Sequence, residues 1–266
     1  MQLKIGILVV GSLDWESKEY PGCQNRLNPE RSTWRKRWLK KDAGSELRVN
    51  VPIRYGRLSS TRGDTYTMVF SPEYKSRPGG QAKIIESKSV VTDCKDLQLH
   101  AQALWQAESG YANEVSRSWG CVVLLTPDNF LQSDEINRRQ LLKEWADYTS
   151  GRPGYANIRF STQDVAEAKK LAEAKKLNVT QVIDNGLLQI PWPTLTTGEP
   201  VELDLILATA TQAEIPPGYP DNEKIVAAWD RSRNYAYYFW CNRATGIQTA
   251  DDADLEQRLL ALGITP

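Results

Sequence analysis

Apolar and polar positions along the chain fall into short segments. A mainly apolar run from Ile5 to Val10 breaks at Gly11-Ser12-Leu13-Asp14-Trp15-Glu16 and predicts a buried first strand ending in a turn. Leu47, Val49, Val51, Ile53 and Tyr55 alternate with Arg48, Asn50, Pro52 and Arg54. This period of two predicts a strand over 47–55 with Arg48 and Arg54 on its polar face. Tyr66, Met68 and Phe70 give the next strand, over 65–70, closed by Pro72 and Pro78-Gly79-Gly80. Residues 84–91 supply a third, and Gly120 to Leu125 reads as a strand buried on both faces. Val179 to Ile183 and Leu187 to Ile190 flank Asp184-Asn185-Gly186, a hairpin signal. Leu203 to Thr209 and the aromatic run Tyr235 to Trp240 complete the expected strands.

Helical spacing marks other segments. Pro21-Gly22 and Leu27-Asn28-Pro29 signal turns, and Ser32 or Thr33 then caps a basic helix over 34–41, with Trp34 and Trp38 on one face. Leu97, Ala101, Leu104 and Trp105 make the stripe of a helix from Asp96 to Glu108, ended by Gly110. Asp134 to Tyr148 turns Ile136, Leu141, Leu142 and Trp145 inward. The hexapeptide Ala-Glu-Ala-Lys-Lys-Leu occurs at 166–171 and again at 172–177, which predicts a solvated helix. Asn222 to Arg233 and Asp252 to Leu262 are the last two helices. This irregular mixture predicts an α+β fold, with a mixed or antiparallel sheet curled toward a small barrel and peripheral helices. A single domain over 1–266 is expected, 1–150 forming its core and 151–266 a C-terminal elaboration. A break near 150–165 is the alternative.

Composition narrows the chemistry. Lys plus Arg and Asp plus Glu both number 33, so no global field favours nucleic acid or a membrane surface. No apolar run approaches a membrane span, and the first residues lack a secretory pattern, so a cytoplasmic protein is expected. Its four cysteines, Cys23, Cys94, Cys121 and Cys241, are then expected as free thiols, with one disulfide as the alternative. A lone histidine, His100, excludes a multi-histidine metal centre and is expected on a helix surface. No dinucleotide, P-loop or nucleophile-elbow motif is present. Neither a metal nor a cofactor is expected.

The turn Gly11-Ser12-Leu13-x-Trp15 and the strand opening Trp119-Gly120 resemble segments of the γ-glutamylcyclotransferase-like proteins, the first in the form found in glutathione-degrading members. Val10 stands where that family has tyrosine. The resemblance covers roughly residues 5–150. It implies an enzyme that acts on a γ-glutamyl amide or related amine conjugate. The substrate's own amine attacks its side-chain carbonyl, releasing 5-oxoproline and an amine, and one carboxylate shuttles the proton. Glu108, Glu135, Glu144 and Asp147 are the candidates for that carboxylate. Gly11, Ser12, Leu13 and Trp15 would form the binding turn, with Ser12 beside outward backbone N–H groups suited to a carboxylate.

Between Arg31 and Arg62 stand ten basic residues and two acids, Asp42 and Glu46. Three readings stand side by side: a solvated face, a phosphate-backbone surface disfavoured by the zero net charge, and an anion receptor. In the last, Arg54 and Arg57, with Arg62 across the glycine-bounded turn, hold a substrate carboxylate bidentately. The aromatic run near 235–240 is expected in the core or as a dimer contact or pocket wall. The competing function is a non-catalytic module that binds anions or proteins on the same fold.

Overall fold

The computed structural model describes residues 1–18, 23, 27–42, 44–71, 79–132, 134–158, 182–213 and 219–266. Its centre is a nine-stranded mixed sheet. The strands are β1 (Ile5–Val9), β2 (Glu46–Val51), β5 (Gly80–Glu86), β6 (Ser116–Arg117), β7 (Gly120–Leu125), β8 (Ile183–Asp184), β9 (Leu187–Leu188), β10 (Thr194–Leu195) and β11 (Leu205–Thr211). They run in the order β10-β2-β5-β1-β11-β7-β9-β8, with β6 beside β7. A separate two-stranded ribbon pairs β3 (Ile53–Ser59) with β4 (Thr65–Phe70).

The helices are α1 (Ser12–Trp15), α2 (Pro29–Trp38), α3 (Cys94–Ser109), α4 (Glu135–Thr149), α5 (Pro153–Ile158), α6 (Asn222–Arg231), α7 (Tyr237–Thr245) and α8 (Asp252–Ala261). No helix among the described residues is long and apolar enough to cross a membrane.

The α+β class and the mixed sheet are as expected, but the sheet does not close into a barrel. The C-terminal stretch is also more than an elaboration. β11 lies between β1, to which it is parallel, and β7, to which it is antiparallel. It is thus a central strand, and Leu205 to Ala208 are buried on both of its faces.

Local deviations have local causes. The strand expected over 47–55 divides at Pro52, which has no N–H to donate to a ladder. The chain then leaves the sheet and forms the β3–β4 ribbon. Arg54 is consequently buried rather than on a polar face, with its guanidinium 4.1 Å from the Tyr219 ring centroid. Helix α2 starts earlier than expected, because the Asn28 side chain caps it, accepting from Glu30 N and Arg31 N, with Pro29 at its first position. The third strand lies at 80–86 rather than 84–91.

Helix α3 follows the expected stripe, capped by Asp93 and ended by Gly110 in the left-handed region. His100 is not on its surface. The ring is buried, 2.9 Å from Ser87 Oγ and 2.9 Å from the Asp96 carbonyl, and meets Trp38 edge-on. Burial pulls its pKa down. In α4, Leu141 and Trp145 turn inward but Ile136 is 84% exposed.

The aromatic run is helix, not strand: Tyr237 begins α7. The Asn185-Gly186 turn does form the expected hairpin, both residues having positive φ, between β8 and β9. Cys23 and Cys241 are joined by a disulfide, which corrects the expectation of four free thiols. Cys94 and Cys121 are free and buried. The repeated hexapeptides, residues 179–181, the Pro21-Gly22 turn and Pro72 and Pro78 lie outside the described residues.

Candidate active site

The site assembles where β1 ends. Gly11 has φ 73°, and a Cβ there would overlap the Tyr238 hydroxyl, so both conformation and space require glycine. The chain then turns through α1, with Ser12 at its start. The Ser12 hydroxyl oxygen accepts from Arg31 Nη1 at 2.8 Å and from Arg62 Nη2 at 3.0 Å. With two charged donors on its oxygen, the hydroxyl proton is directed elsewhere.

Arg31 comes from α2 and is nearly completely buried. Nε and Nη2 donate to the carbonyls of Ala107 and Glu108 at 3.0 and 3.2 Å, capping the C-terminal turn of α3. Nη1 also meets Glu16 at 3.1 Å and Nη2 meets the Glu108 carboxylate at 3.5 Å. One guanidinium therefore fixes both Ser12 and Glu108. Arg62 reaches Glu16 at 3.4 Å, and its guanidinium lies 5.1 Å from the Tyr238 ring centroid. Burial opposes the charge of Arg62. Tyr238, Glu16 and Glu108 together outweigh that and hold its pKa above the usual value.

Ser12, Arg57, Arg62, Glu108 and Tyr238 line a common small cleft of about 30 Å³ that opens to the surface. Thr67 from β4 and Thr209 and Thr211 from β11 add to its wall. Arg57 reaches it because the β3–β4 register shifts between Tyr55 and Arg57. Such a bulge re-aims the following side chain. The Arg57 guanidinium lies 4.9 Å from the Trp119 ring centroid. Among the described residues it makes no hydrogen bond or ion pair. Burial pulls its pKa down, and nearby Glu108 partly restores it. Tyr238 accepts from Met68 N at 3.3 Å, and burial raises its pKa against the pull of Arg62.

Beneath the turn lies a buried ion network. Asp14 is fully buried and meets Lys83 Nζ at 2.9 Å and Arg35 Nη1 at 3.3 Å. Glu46 joins Lys83 at 2.8 Å, Arg35 at 2.8 Å and Lys18 at 2.6 Å. Burial works against the Glu46 carboxylate, but hydrogen bonds from Lys18 and Lys83 prevail and hold its pKa down at about 2.

The sequence-derived candidates separate clearly. Ser12, Arg57 and Glu108 meet at the cleft, and Gly11 packs beside it against the Tyr238 hydroxyl. Leu13 and Trp15 are buried beneath it. The Trp15 indole donates to Asn242 Oδ1 at 2.8 Å and packs edge-on against Tyr237 and Tyr238. Arg54 faces Tyr219 and does not line the cleft. Glu135, Glu144 and Asp147 stand on the exposed face of α4, where Glu135 pairs with Arg139 and Glu144 accepts from Gln140.

Sequence reasoning missed the roles of Arg31, Glu16, Thr209 and Thr211, whereas Tyr238 belongs to the aromatic run for which a pocket wall was one expectation. Only Glu16 carried a local signal, since it lies one helical turn after Ser12. Among the described residues no cluster of histidine, cysteine and carboxylate side chains is arranged to hold a metal ion. Comparison of the chain with protein-family models, curated proteins and solved structures gives no match.

Proposed function

We propose that the cleft is the active site of a γ-glutamylcyclotransferase-like enzyme that acts on a γ-glutamyl amide or amine conjugate. The observation that carries this reading is the convergence of the Glu108 carboxylate and the Ser12 hydroxyl on the single guanidinium of Arg31, at the wall of one cleft. Arg57, whose guanidinium stacks on Trp119 and makes no hydrogen bond or ion pair among the described residues, receives the substrate α-carboxylate bidentately. Glu108 takes a proton from the α-ammonium, and the freed amine attacks the side-chain amide carbon. A C–N bond forms and the carbonyl oxygen becomes an oxyanion, toward which Ser12 donates its hydroxyl proton as a hydrogen bond. Glu108 passes its proton to the leaving nitrogen as the original C–N bond breaks, and the regenerated carboxylate then takes the second proton from the ring nitrogen and hands it to the departing amine. The products are 5-oxoproline and an amine, and the carboxylate returns to its starting state. The same reading includes the corresponding fold and a cytoplasmic setting.

The test is incubation of the purified full-length chain with γ-glutamyl amides differing in their leaving amine, with 5-oxoproline measured by mass. Release of 5-oxoproline supports the reading. A second reading, anion binding without turnover, rests on the two cleft arginines Arg57 and Arg62. It takes over if the amides bind and survive unchanged.

A further inference from the structure

Helix α2 faces two ways. Arg31 reaches the cleft, while Ser32, Arg35 and Lys36, three and four positions apart, turn to a second and larger cavity of about 440 Å³. That volume suits a whole small molecule. The cavity shares no lining residue with the cleft. Among the described residues five cations line it, Lys18, Arg35, Lys36, Lys40 and Lys41, against the two carboxylates of Asp42 and Glu46.

The acids do not cancel this charge. Glu46 is shared by Lys18 at 2.6 Å, Arg35 at 2.8 Å and Lys83 at 2.8 Å, and the last two also meet Asp14 behind the wall. Lys40 pairs with Glu86. Lys36, Lys41 and Asp42 are exposed and make no ion pair among the described residues, so the outer wall keeps two cations against one acid. A neutral donor adds to it. Ser32 is only 9% exposed and lines the cavity, yet its hydroxyl has no hydrogen-bond partner among the described residues. A polar group so nearly buried calls for a partner.

We propose that this cavity is a second ligand site, separate from the cleft, that binds a small multiply phosphorylated anion. Lys36 and Lys41 hold phosphate oxygens by charge, and Ser32 donates its hydroxyl proton to one. Arg35, fixed by Asp14, Ser17 and Glu46, keeps the floor positive.

The wall selects the ligand class. Lysine ammonium groups are point charges that suit tetrahedral phosphate, whereas the planar fork that recognises a carboxylate belongs to arginine. The one arginine here is already committed to Asp14 and Glu46. Leu27 is the one large apolar side chain in the described lining, and no aromatic ring stands there to stack a base. A short phosphate chain or a phosphorylated polyol fits such a wall; a nucleic-acid strand does not. The carbonyl end of α2 opposes a nearby anion, and Lys88 Nζ offsets it by donating to the Lys36 carbonyl.

The test is calorimetric titration of the full chain with inorganic triphosphate and, separately, with inositol hexakisphosphate. Salt is held at about 0.1 M, where charges more than about 10 Å apart are screened. Saturable binding of either anion at one site supports the proposal, and the tighter of the two tells a linear chain from a polyol. Lys36→Ala combined with Lys41→Ala is expected to weaken binding at least about tenfold, and Ser32→Ala a few-fold. Lys95→Ala combined with Lys143→Ala, at exposed positions on α3 and α4, leaves binding unchanged, as does Arg57→Ala in the cleft. Failure of both anions to bind overturns the proposal, and so does wild-type affinity in the Lys36, Lys41 pair. An equal loss in the Lys95, Lys143 pair overturns it by showing diffuse charge attraction, and one in Arg57→Ala by moving the ligand to the cleft. Citrate binding as tightly as the phosphates overturns the phosphate class, and tighter binding of a single-stranded oligonucleotide overturns the small-molecule assignment. Release of 5-oxoproline plays no part in any of these outcomes, so the proposal stands or falls apart from the cyclotransferase reading.

Discussion

Arg31 holds Glu108 at two points. Its Nη2 donates to the Glu108 carbonyl at 3.2 Å and lies 3.5 Å from the carboxylate. The same contacts end helix α3 and present its last acidic side chain to the cleft. Replacement by methionine leaves Glu16 and Glu108 without their buried cation. Arg31→Met is expected to lower stability by about 3–5 kcal/mol, read from the denaturant midpoint. A loss below about 1 kcal/mol would show that Arg31 does not organise the site.

Gly11 and Tyr238 form a second fixed pair. Gly11→Ala places a methyl group against the phenol at φ 73° and is expected to cost about 2–4 kcal/mol. Adding Tyr238→Phe removes the overlapping oxygen and recovers part of that loss. A double-mutant cycle with no coupling between the two would contradict the packing described.

Asp252 makes stability depend on pH. Burial raises its folded pKa to about 6, above the ordinary carboxylate value of 3.8. The favourable contribution of the neutral acid is complete below the unfolded pKa and is lost as pH rises through the folded one. Asp252→Asn is therefore expected to stabilise the protein by up to about 3 kcal/mol at pH 7–8 and to have little effect below about pH 4. Thermal melts across this range check the sign. A larger benefit in acid than at neutrality would contradict the burial argument.

Much of this was legible in the sequence, for local reasons. Val49 and Val51 alternate as a strand facing the core must, and Asp93 and Gly110 frame α3 with ordinary capping chemistry. The glycine-serine turn announced the cleft. The remainder depended on contacts distant in sequence. Tyr237 to Trp240 have strand-forming side chains, yet Tyr238 and Phe239 are buried as part of a helix, because tertiary packing outweighs propensity. Nothing near Arg31 says that one guanidinium in a basic stretch will cap a helix ending at Ser109. Four carboxylates looked equivalent until the fold sent three of them to the exposed face of α4.

The cysteines distinguish two pictures of the C-terminal half. Cys241 lies one turn beyond Tyr238 on α7, and its bond to Cys23 ties that helix to the segment following the Ser12 turn. Alkylation of protein unfolded without reductant, followed by mass measurement, is expected to label two thiols, Cys94 and Cys121. Labelling of all four cysteines would contradict the bond.

Glu108→Gln tests the central claim most directly. The amide is nearly isosteric and still accepts a hydrogen bond from Arg31, but it cannot take a proton from an ammonium. With a γ-glutamyl amide that the wild type converts to 5-oxoproline, the account predicts a fall in kcat of at least about 100-fold, with the fold retained and binding of the amide, read by calorimetry, nearly unchanged. Turnover that persists within a few-fold in Glu108→Gln, in a protein that still binds the amide, would contradict it.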